Sequence, residues 1–111
     1  MELKEVQKLV DNWIKEYGIR YFNELTNTVI LMEEVGELAR IIARKYGEQS
    51  FKEGENADNM EEEMADILFV LVCLANQTGI DLEKAFLDKM NKKTLRDKNR
   101  HQQNKKLNKE N

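Results

Sequence analysis

The sequence has no proline and only five glycines among its 111 residues. Both residue types mark turns, so their scarcity argues against a turn-rich β-sandwich or barrel. Charged residues make up 35% of the chain, and Leu, Ile, Val and Met recur throughout. This composition favours helices, and the length predicts one domain with a modest core.

Cysteine and long apolar runs are also scarce. The one cysteine, Cys73, excludes a disulfide within the chain, and its apolar neighbours predict a buried, inert thiol. The longest apolar run, residues 64–75, is shorter than the roughly 20 residues needed to span a bilayer, and it contains Asp66. The N-terminus has no signal-peptide pattern, so we expect a soluble, cytoplasmic protein without a membrane partner.

The net charge of −3 hides an uneven distribution. Residues 89–111 hold nine Lys or Arg and two acidic residues, whereas the rest of the chain holds nine against nineteen. A basic end could bind nucleic acid through its phosphates. Residues 98–111 have almost nothing to bury, so we expect a basic, disordered tail there that does not serve nucleic-acid binding. The folded domain is then residues 1–97.

Helical periodicity and turn residues predict four helices, at about residues 2–16, 24–46, 59–78 and 82–98. Gly18, Gly47 and Gly79 follow the first three, Asp58 or Asn59 is the expected N-cap of the third, and Asp81 that of the fourth. Because the connections are short, neighbouring helices should pack antiparallel. The expected fold is an all-α, antiparallel four-helix bundle.

The two central helices carry acidic residues inside apolar surroundings. Glu33, Glu34 and Glu37 fall within about a quarter-turn of one another, because a helix advances ~100° per residue. Glu63 and Asp66 are three residues apart and therefore neighbours on the next helix. If the two helices pack antiparallel, four or five carboxylates share one partly buried pocket.

The central helices are apolar on more than one side. On the second helix, Val35 and Ile42 belong to a core stripe opposite the glutamates, and the third helix is apolar all round after Met64 apart from Asp66. A single four-helix layer cannot cover all these faces. We therefore expect oligomerisation to complete the bundle.

A pocket of several carboxylates requires a cation. Like charges raise one another's pKa values, and burial of an unpaired carboxylate opposes folding. Oxygen ligands without His or Cys favour Mg²⁺ or Mn²⁺ over Zn²⁺, and Mg²⁺ commonly shares its waters with substrate phosphates. The pattern therefore suggests phosphate-ester or phosphoanhydride chemistry. The alternatives are surface acids paired with Lys and Arg, or a di-iron bundle, which would need Glu-x-x-His pairs that the lone His101 cannot supply.

The motifs 33-EEVGE-37 and 63-EMAD-66 resemble the EExxE…ExxD signature of the MazG-like nucleotide pyrophosphohydrolases, a family of the all-α NTP pyrophosphatase superfamily. The surrounding stretches 32-MEEVGELAR-40, 62-EEMADILFVLVCLAN-76 and 79-GIDLEKAF-86 are similar to the family as well. The resemblance covers roughly residues 5–97. It implies a Mg²⁺-dependent enzyme that converts a nucleoside triphosphate to the monophosphate and pyrophosphate, with a house-cleaning role against non-standard or surplus nucleotides.

The resemblance also implies roles for individual residues. Glu34, Glu37, Glu63 and Asp66 would be metal ligands, and Glu33 a further acid near the metal or the attacking water, so Glu33 and Glu34 are the candidate catalytic residues. Lys92 and Arg96 fit the family's phosphate-contacting cations, although Asn91 adjoins Lys92 and Lys93 stands where the family has an aromatic. Phe22 is a candidate base contact, whereas Trp13 is expected in the core.

The family also implies a homodimer or a dimer of dimers. Within the same class, an all-α dUTPase-like enzyme and a phosphoribosyl-ATP pyrophosphohydrolase remain alternatives. From a different class, a helical oligomeric module could bind a nucleotide or metal without turnover.

Overall fold

The computed structural model describes residues 1–54, 59–102, 104, 106 and 107. Its helices are α1 (Leu3–Trp13), α2 (Glu24–Tyr46), α3 (Met60–Thr78) and α4 (Leu82–Gln102), and a π-helical turn, Ile14–Gly18, extends α1. No strand occurs within these described ranges. The predicted all-α class with four helices is confirmed. The last helix runs past its expected end at Lys98, and most of the remaining tail lies outside the described residues.

The ends of the helices follow from capping chemistry. The Asn23 side chain accepts a hydrogen bond from the Thr26 N–H at 2.8 Å, and Asp81, the predicted N-cap of α4, accepts one from the Lys84 N–H at 3.1 Å. Gly79 ends α3 at φ 72°, a left-handed conformation that glycine adopts without a Cβ clash. Asn59 is the N-cap residue of α3, whereas the alternative cap, Asp58, lies outside the described residues.

Helices α1 and α2 both pack antiparallel to α3. Residues near the start of α1 and α2 contact the end of α3, and residues further along contact its beginning, as the pairs Gln7–Asn76 and Asn27–Gln77 show. Val10, Ile14, Val72 and Cys73 form the buried core cluster between α1 and α3. Burial raises the pKa of the Cys73 thiol to about 11, so the predicted inert thiol is confirmed as a buried one.

Helix α4 departs from the expected bundle. Its axis bends by 103° from that of α3, and it packs against α1 near its first residue, Leu82. Beyond that point its apolar side chains, Phe86, Leu87 and Met90, are exposed. The antiparallel bundle within one chain is therefore made by α1, α2 and α3, because the bend at Gly79 directs α4 away from them.

Part of the expected core lies at the surface of the single chain. Val35 and Ile42 of α2, predicted to be core, are 47% and 38% exposed. On α3, Val70, Val72, Cys73 and Ala75 are buried, whereas Met64, Leu68 and Leu71 are exposed. The periodicity predicted apolar faces correctly, but one chain has enough helices to cover only one side of each.

Membrane spanning was tested by helix length and hydropathy. In the described part of the chain, no single helix is both long and apolar enough to cross a bilayer. Helices α3 and α4 reach the required length and composition only as a pair, across the 103° bend between them.

Candidate active site

A cavity of about 450 Å³ opens between α1, α2, α3 and the segment that joins α1 to α2. This volume lies within the range of small-molecule sites in proteins. Its lining divides into an acidic end, formed by Glu34 and Asp66, and an aromatic end, formed by Trp13, Tyr21, Phe22 and Phe69. Ile30, Val70, Cys73, Arg20 and Asn27 also line it.

The acidic end is a cluster of three carboxylates. The antiparallel packing brings Glu34 of α2 against Glu63 and Asp66 of α3, with one oxygen of each lying within 4.8 Å of the others. A hydrogen bond with Glu63, partial burial and the negative charges of neighbouring acids raise the pKa of Glu34 to about 7. Without a cation, these groups oppose one another.

The cluster also contains an unsatisfied oxygen. Glu63 Oε2 is buried and has no hydrogen-bond partner among the described residues. Buried polar atoms are normally paired, and a carboxylate oxygen is an acceptor only. Three clustered carboxylates with one orphaned oxygen fit a hard divalent cation, which takes oxygen ligands of this kind.

The other two predicted acids lie outside the cluster. Glu33 is exposed on α2. Glu37 is exposed too, and its carboxylate pairs with Arg40 at 3.4 Å, although its charge still contributes to the raised pKa of Glu34. The structure therefore brings together Glu34, Glu63 and Asp66, while Glu33 and Glu37 stand beside them.

Trp13, at the aromatic end, is more exposed than the sequence predicted. This residue is 48% exposed and meets Phe69 edge-on, with ring centroids 5.7 Å apart. The expectation that Trp13 belongs to the core was wrong, because the cavity removes the neighbours that would cover it. Phe22 is 58% exposed and lines the same cavity. Its role as a base contact stays a prediction.

Two amide side chains hold the segment that carries Phe22. The Phe22 carbonyl oxygen accepts hydrogen bonds from Asn27 Nδ2, at 3.2 Å, and from Gln77 Nε2. Asn27 Nδ2 also donates to Gln77 Oε1 at 2.8 Å. The end of α3 thereby anchors the start of α2 and Phe22, which lies two residues before this helix.

Tyr21 is held by a second network. Its hydroxyl donates to Asp11 at 2.6 Å and accepts from Asn76 Nδ2 at 3.1 Å, and Asp11 also pairs with Lys15 at 2.6 Å. Burial and the bond to Asp11 raise the pKa of Tyr21 to about 12. Asn76 is bound in turn to Gln7, whose side chain also accepts from the first N–H of α4. Tyr21 therefore anchors the wall of the cavity.

Ile19 occupies a strained turn in the same wall. Its backbone has φ 70° and ψ −54°, and the Arg20 N–H donates to the Gly18 carbonyl at 2.8 Å. This is a γ-turn of the rare kind, unfavourable for a β-branched residue. The turn places Gly18 and Arg20 on either side of Ile19 at the cavity.

Lys92 and Arg96 lie apart from this site. Both are exposed on α4, and neither lines the cavity formed by the described residues. Arg96 instead forms a two-pronged ion pair with Asp97, at 2.8 and 3.0 Å.

Several cavity residues escaped the sequence analysis, namely Arg20, Asn27 and Phe69, together with the supporting amides Gln7, Asn76 and Gln77. A signal for Asn27 was available. It precedes Glu34 by seven residues, which places both on one face of α2. The supporting amides had no such signal, because their partners are 50 or more positions away in sequence.

A helical scaffold with clustered carboxylates at one end of a ligand-sized cavity is the architecture of an all-α metal-dependent hydrolase. The family model for the MazG nucleotide pyrophosphohydrolase domain matches residues 22–101. The chain belongs to this family and is a nucleotide pyrophosphohydrolase.

Individual relatives agree with the family match. YpjD of Bacillus subtilis is 46% identical over 98 residues, which cover 88% of each chain. Its crystal structure superposes with a TM-score of 0.73 at 43% identity, covering 83% of this chain and 92% of that one. A Bacillus-conserved MazG protein described as a nucleotide pyrophosphohydrolase has a TM-score of 0.70 at 42% identity, covering 83% and 88%.

A more distant relative has a named substrate. The dCTP pyrophosphatase 1 of Rattus norvegicus is 32% identical over 93 residues, or 79% of this chain. The match covers 54% of that protein, so the chain corresponds to about half its length.

Proposed function

We propose that the protein is a Mg²⁺-dependent nucleoside triphosphate pyrophosphohydrolase that converts an NTP or dNTP and water to the monophosphate and pyrophosphate. The observation that carries the proposal is the carboxylate cluster of Glu34, Glu63 and Asp66 at one end of an aromatic-lined cavity. One end suits a phosphate-bound cation, and the other suits a base. The proposed role is removal of non-standard or surplus nucleotides in the cytoplasm.

Glu34, Glu63 and Asp66 would hold the cation, and Glu37 could join them by exchanging its partner Arg40 for the ion. When bound, Mg²⁺ or Mn²⁺ would polarise phosphoryl oxygens and lower the pKa of a water. The cation would also relieve the repulsion among the carboxylates and satisfy Glu63 Oε2. Mg²⁺ is preferred because it favours oxygen ligands that it shares with phosphates.

The remaining steps belong to the protein's own groups. Water attack on a phosphorus releases a proton, and a carboxylate of the Glu33–Glu34 pair would accept it. The aromatic walls, Phe22 among them, would hold the base so that the phosphates lie at the acidic end. This positioning aligns the bond between the α and β phosphates with the attacking water.

Lys92 and Arg96 would neutralise the polyphosphate and the leaving pyrophosphate. Because Lys92 and Arg96 do not line the cavity of their own chain, we propose that they act at the cavity of a neighbouring copy. The proposed homodimer or dimer of dimers would supply that copy. The exposed apolar side chains of α2 and α3, such as Met32 and Leu68, support it because they give a second copy a surface to cover.

The assembly has its own test. We expect Leu68→Glu to lower the molar mass measured by light scattering after gel filtration, because it places a charge in the proposed interface. Lys8→Glu, at an exposed position on α1, is the matched control and should leave the mass unchanged. A wild-type protein that stays monomeric at high concentration would refute the assembly.

The reaction is tested by pyrophosphate release from a panel of ordinary and modified nucleoside triphosphates, with Mg²⁺ and with EDTA. Wild type should release pyrophosphate only with metal, and Glu34→Gln should lose the activity. Glu61→Gln is the control, because Glu61 precedes Glu63 by two residues and therefore lies ~200° around α3. Equal release in EDTA would contradict the metal-dependent mechanism.

The same panel separates the alternatives. Preference for dUTP would indicate the dUTPase-like activity, and turnover of phosphoribosyl-ATP the second alternative in this class. If no nucleotide is hydrolysed while Mg²⁺ still raises the melting temperature, the chain would bind a metal without turnover. That result would favour the non-catalytic module over the enzyme proposed here.

A further inference from the structure

The start of α2 contributes one buried amide to the aromatic end of the cavity. Asn27 is 5% exposed, the only buried polar residue among the described ones. Its Nδ2 group is fully used, since it donates to the Phe22 carbonyl at 3.2 Å and to Gln77 Oε1 at 2.8 Å. Its carbonyl oxygen, Oδ1, has no hydrogen-bond partner among the described residues.

The orientation of this amide is determined by its surroundings. The Phe22 backbone carbonyl is an acceptor in every state, so the NH₂ groups of both Asn27 and Gln77 must point toward it. Turning Asn27 over would set its Oδ1 against two other oxygens. The Oδ1 atom is therefore directed away from the network, on a residue that lines the cavity.

The position of Asn27 relative to the carboxylates matches the length of a nucleotide. Asn27 and Glu34 are seven residues apart on α2, hence on one face and about 10 Å apart along the axis. Ile30 lines the cavity between them. A nucleotide whose phosphates lie at Glu34 would bring the edge of its base to Asn27, between the aromatic side chains.

Oδ1 accepts no hydrogen bond from the described residues, so a ligand that fills the cavity and excludes water must either supply a donor or leave this acceptor unpaired. We propose that Asn27 is a specificity-determining residue whose Oδ1 accepts a hydrogen bond from the exocyclic amino group of a nucleobase. The proposal rests on the function proposed above. It gives the substrate class as nucleoside triphosphates with an amino-bearing base, such as adenine or cytosine.

The amino group is preferred over a ring N–H for a chemical reason. Asn27 offers one acceptor and no free donor, because both of its N–H groups are occupied. The ring N–H of uracil is flanked by two carbonyl oxygens, which would lie close to Oδ1 and repel it. An amino group projects from its ring and reaches a lone acceptor without bringing another oxygen beside it.

The test compares substrates that differ only in the amino group. These are dATP against the triphosphate of purine deoxyriboside, and dCTP against that of 2-pyrimidinone deoxyriboside. In the wild type, kcat/KM should fall about tenfold or more on loss of the amino group in at least one pair, because Oδ1 is left unpaired. Equal kcat/KM within both pairs would overturn the proposal.

Variants assign that difference to the residue. In Asn27→Leu the amino and amino-free substrates should become nearly equal, since no acceptor remains to be satisfied. Gln77→Met controls for weaker anchoring of this segment, because it removes one donor to the Phe22 carbonyl and the acceptor of one Asn27 N–H but keeps Asn27 Oδ1 and the bond from Asn27 Nδ2 to Phe22. It should lower the melting temperature and retain the preference. A preference that persists undiminished in Asn27→Leu would contradict the assignment.

The outcomes also separate this inference from the proposed function. If the wild type hydrolyses none of the four triphosphates with Mg²⁺, and none in the wider panel, the proposed function fails. If it hydrolyses them without regard to the amino group, the function stands and the role of Asn27 fails. The wild-type comparison needs no variant, so a folding defect in Asn27→Leu cannot obscure the result.

Discussion

The two ends of the cavity are formed by the same two helices, α2 and α3, but the contacts between these helices differ in their effect on stability. At the acidic end, α2 and α3 bring Glu34, Glu63 and Asp66 together, with one oxygen left unpaired. At the aromatic end, the same helices join through Asn27 and Gln77, whose hydrogen bonds close on the Phe22 carbonyl. One contact between α2 and α3 opposes folding, and the other supports it.

This difference distinguishes side chains that favour ligand binding from side chains that stabilise the fold. The mutual repulsion of the carboxylates lowers the stability of the metal-free fold. A bound cation would remove this repulsion, so the same groups favour cation binding. The amides and Tyr21 have partners within the chain, so they hold the wall whether or not a ligand is present. Asn27 belongs to both groups, because its nitrogen is bound by the chain and its oxygen is not.

The largest expected effect comes from removing one carboxylate. Glu63→Gln should lower kcat/KM with Mg²⁺ by about a hundredfold or more, since a bound cation contributes several kcal/mol to such reactions. In EDTA the same variant should unfold at a higher urea concentration than wild type, because one repelling charge is gone. Circular dichroism checks the second point, and a lower midpoint would contradict this account of the acidic end.

A smaller effect is expected from pH in the absence of metal. The pKa of Glu34 is about 7 in the folded state and 4.5 as an unperturbed group, so the folded state binds this proton more tightly. Its contribution to stability is therefore complete below pH 4.5 and is lost as pH rises through 7. Urea midpoints in EDTA should fall over this range in wild type. Glu34→Gln should show a flatter profile; an identical slope would assign the effect to other groups.

The smallest effect belongs to the aromatic end. Tyr21→Phe removes both hydrogen bonds of the hydroxyl, to Asp11 and from Asn76, and should cost about 2 kcal/mol of unfolding free energy, about 1 kcal/mol for each bond. Tyr17→Phe, at an exposed ring on the same segment, should cost almost nothing. Urea denaturation measures both. Because Tyr21 anchors the wall, its loss should raise KM more than it lowers kcat.

The local features of the fold were predictable. Helix periodicity and caps located α2 almost to the residue, and the glycine after α3 was recognised as its end. The spacing of Glu34, Glu63 and Asp66, together with the family resemblance, identified the residues that the structure gathers. Caps, helix ends and the spacing within each acidic motif depend on neighbours within about four positions, and the sequence shows such neighbours directly.

The site as a whole was less predictable. Periodicity placed Glu33, Glu34 and Glu37 on one side of α2, but it could not say which would face α3. The answer depends on how far each helix is rotated about its axis, and that rotation is set by which side chains are buried, such as Ile41 on α2 and Val70 on α3. Trp13 was misplaced for the same reason, since a cavity is a property of several elements together.

The sequence by itself determined four helices, the bounds of α2, the acidic pairs and the family to which the chain belongs. Only the tertiary structure decided which three carboxylates meet, that α4 turns away from the bundle, and that Glu63 Oε2 is buried without a partner among the described residues. The physical reason is the distance along the chain over which each interaction acts. Capping and helical spacing act over one or two turns of chain, whereas an unpaired buried atom is defined by everything that packs around it and fails to reach it.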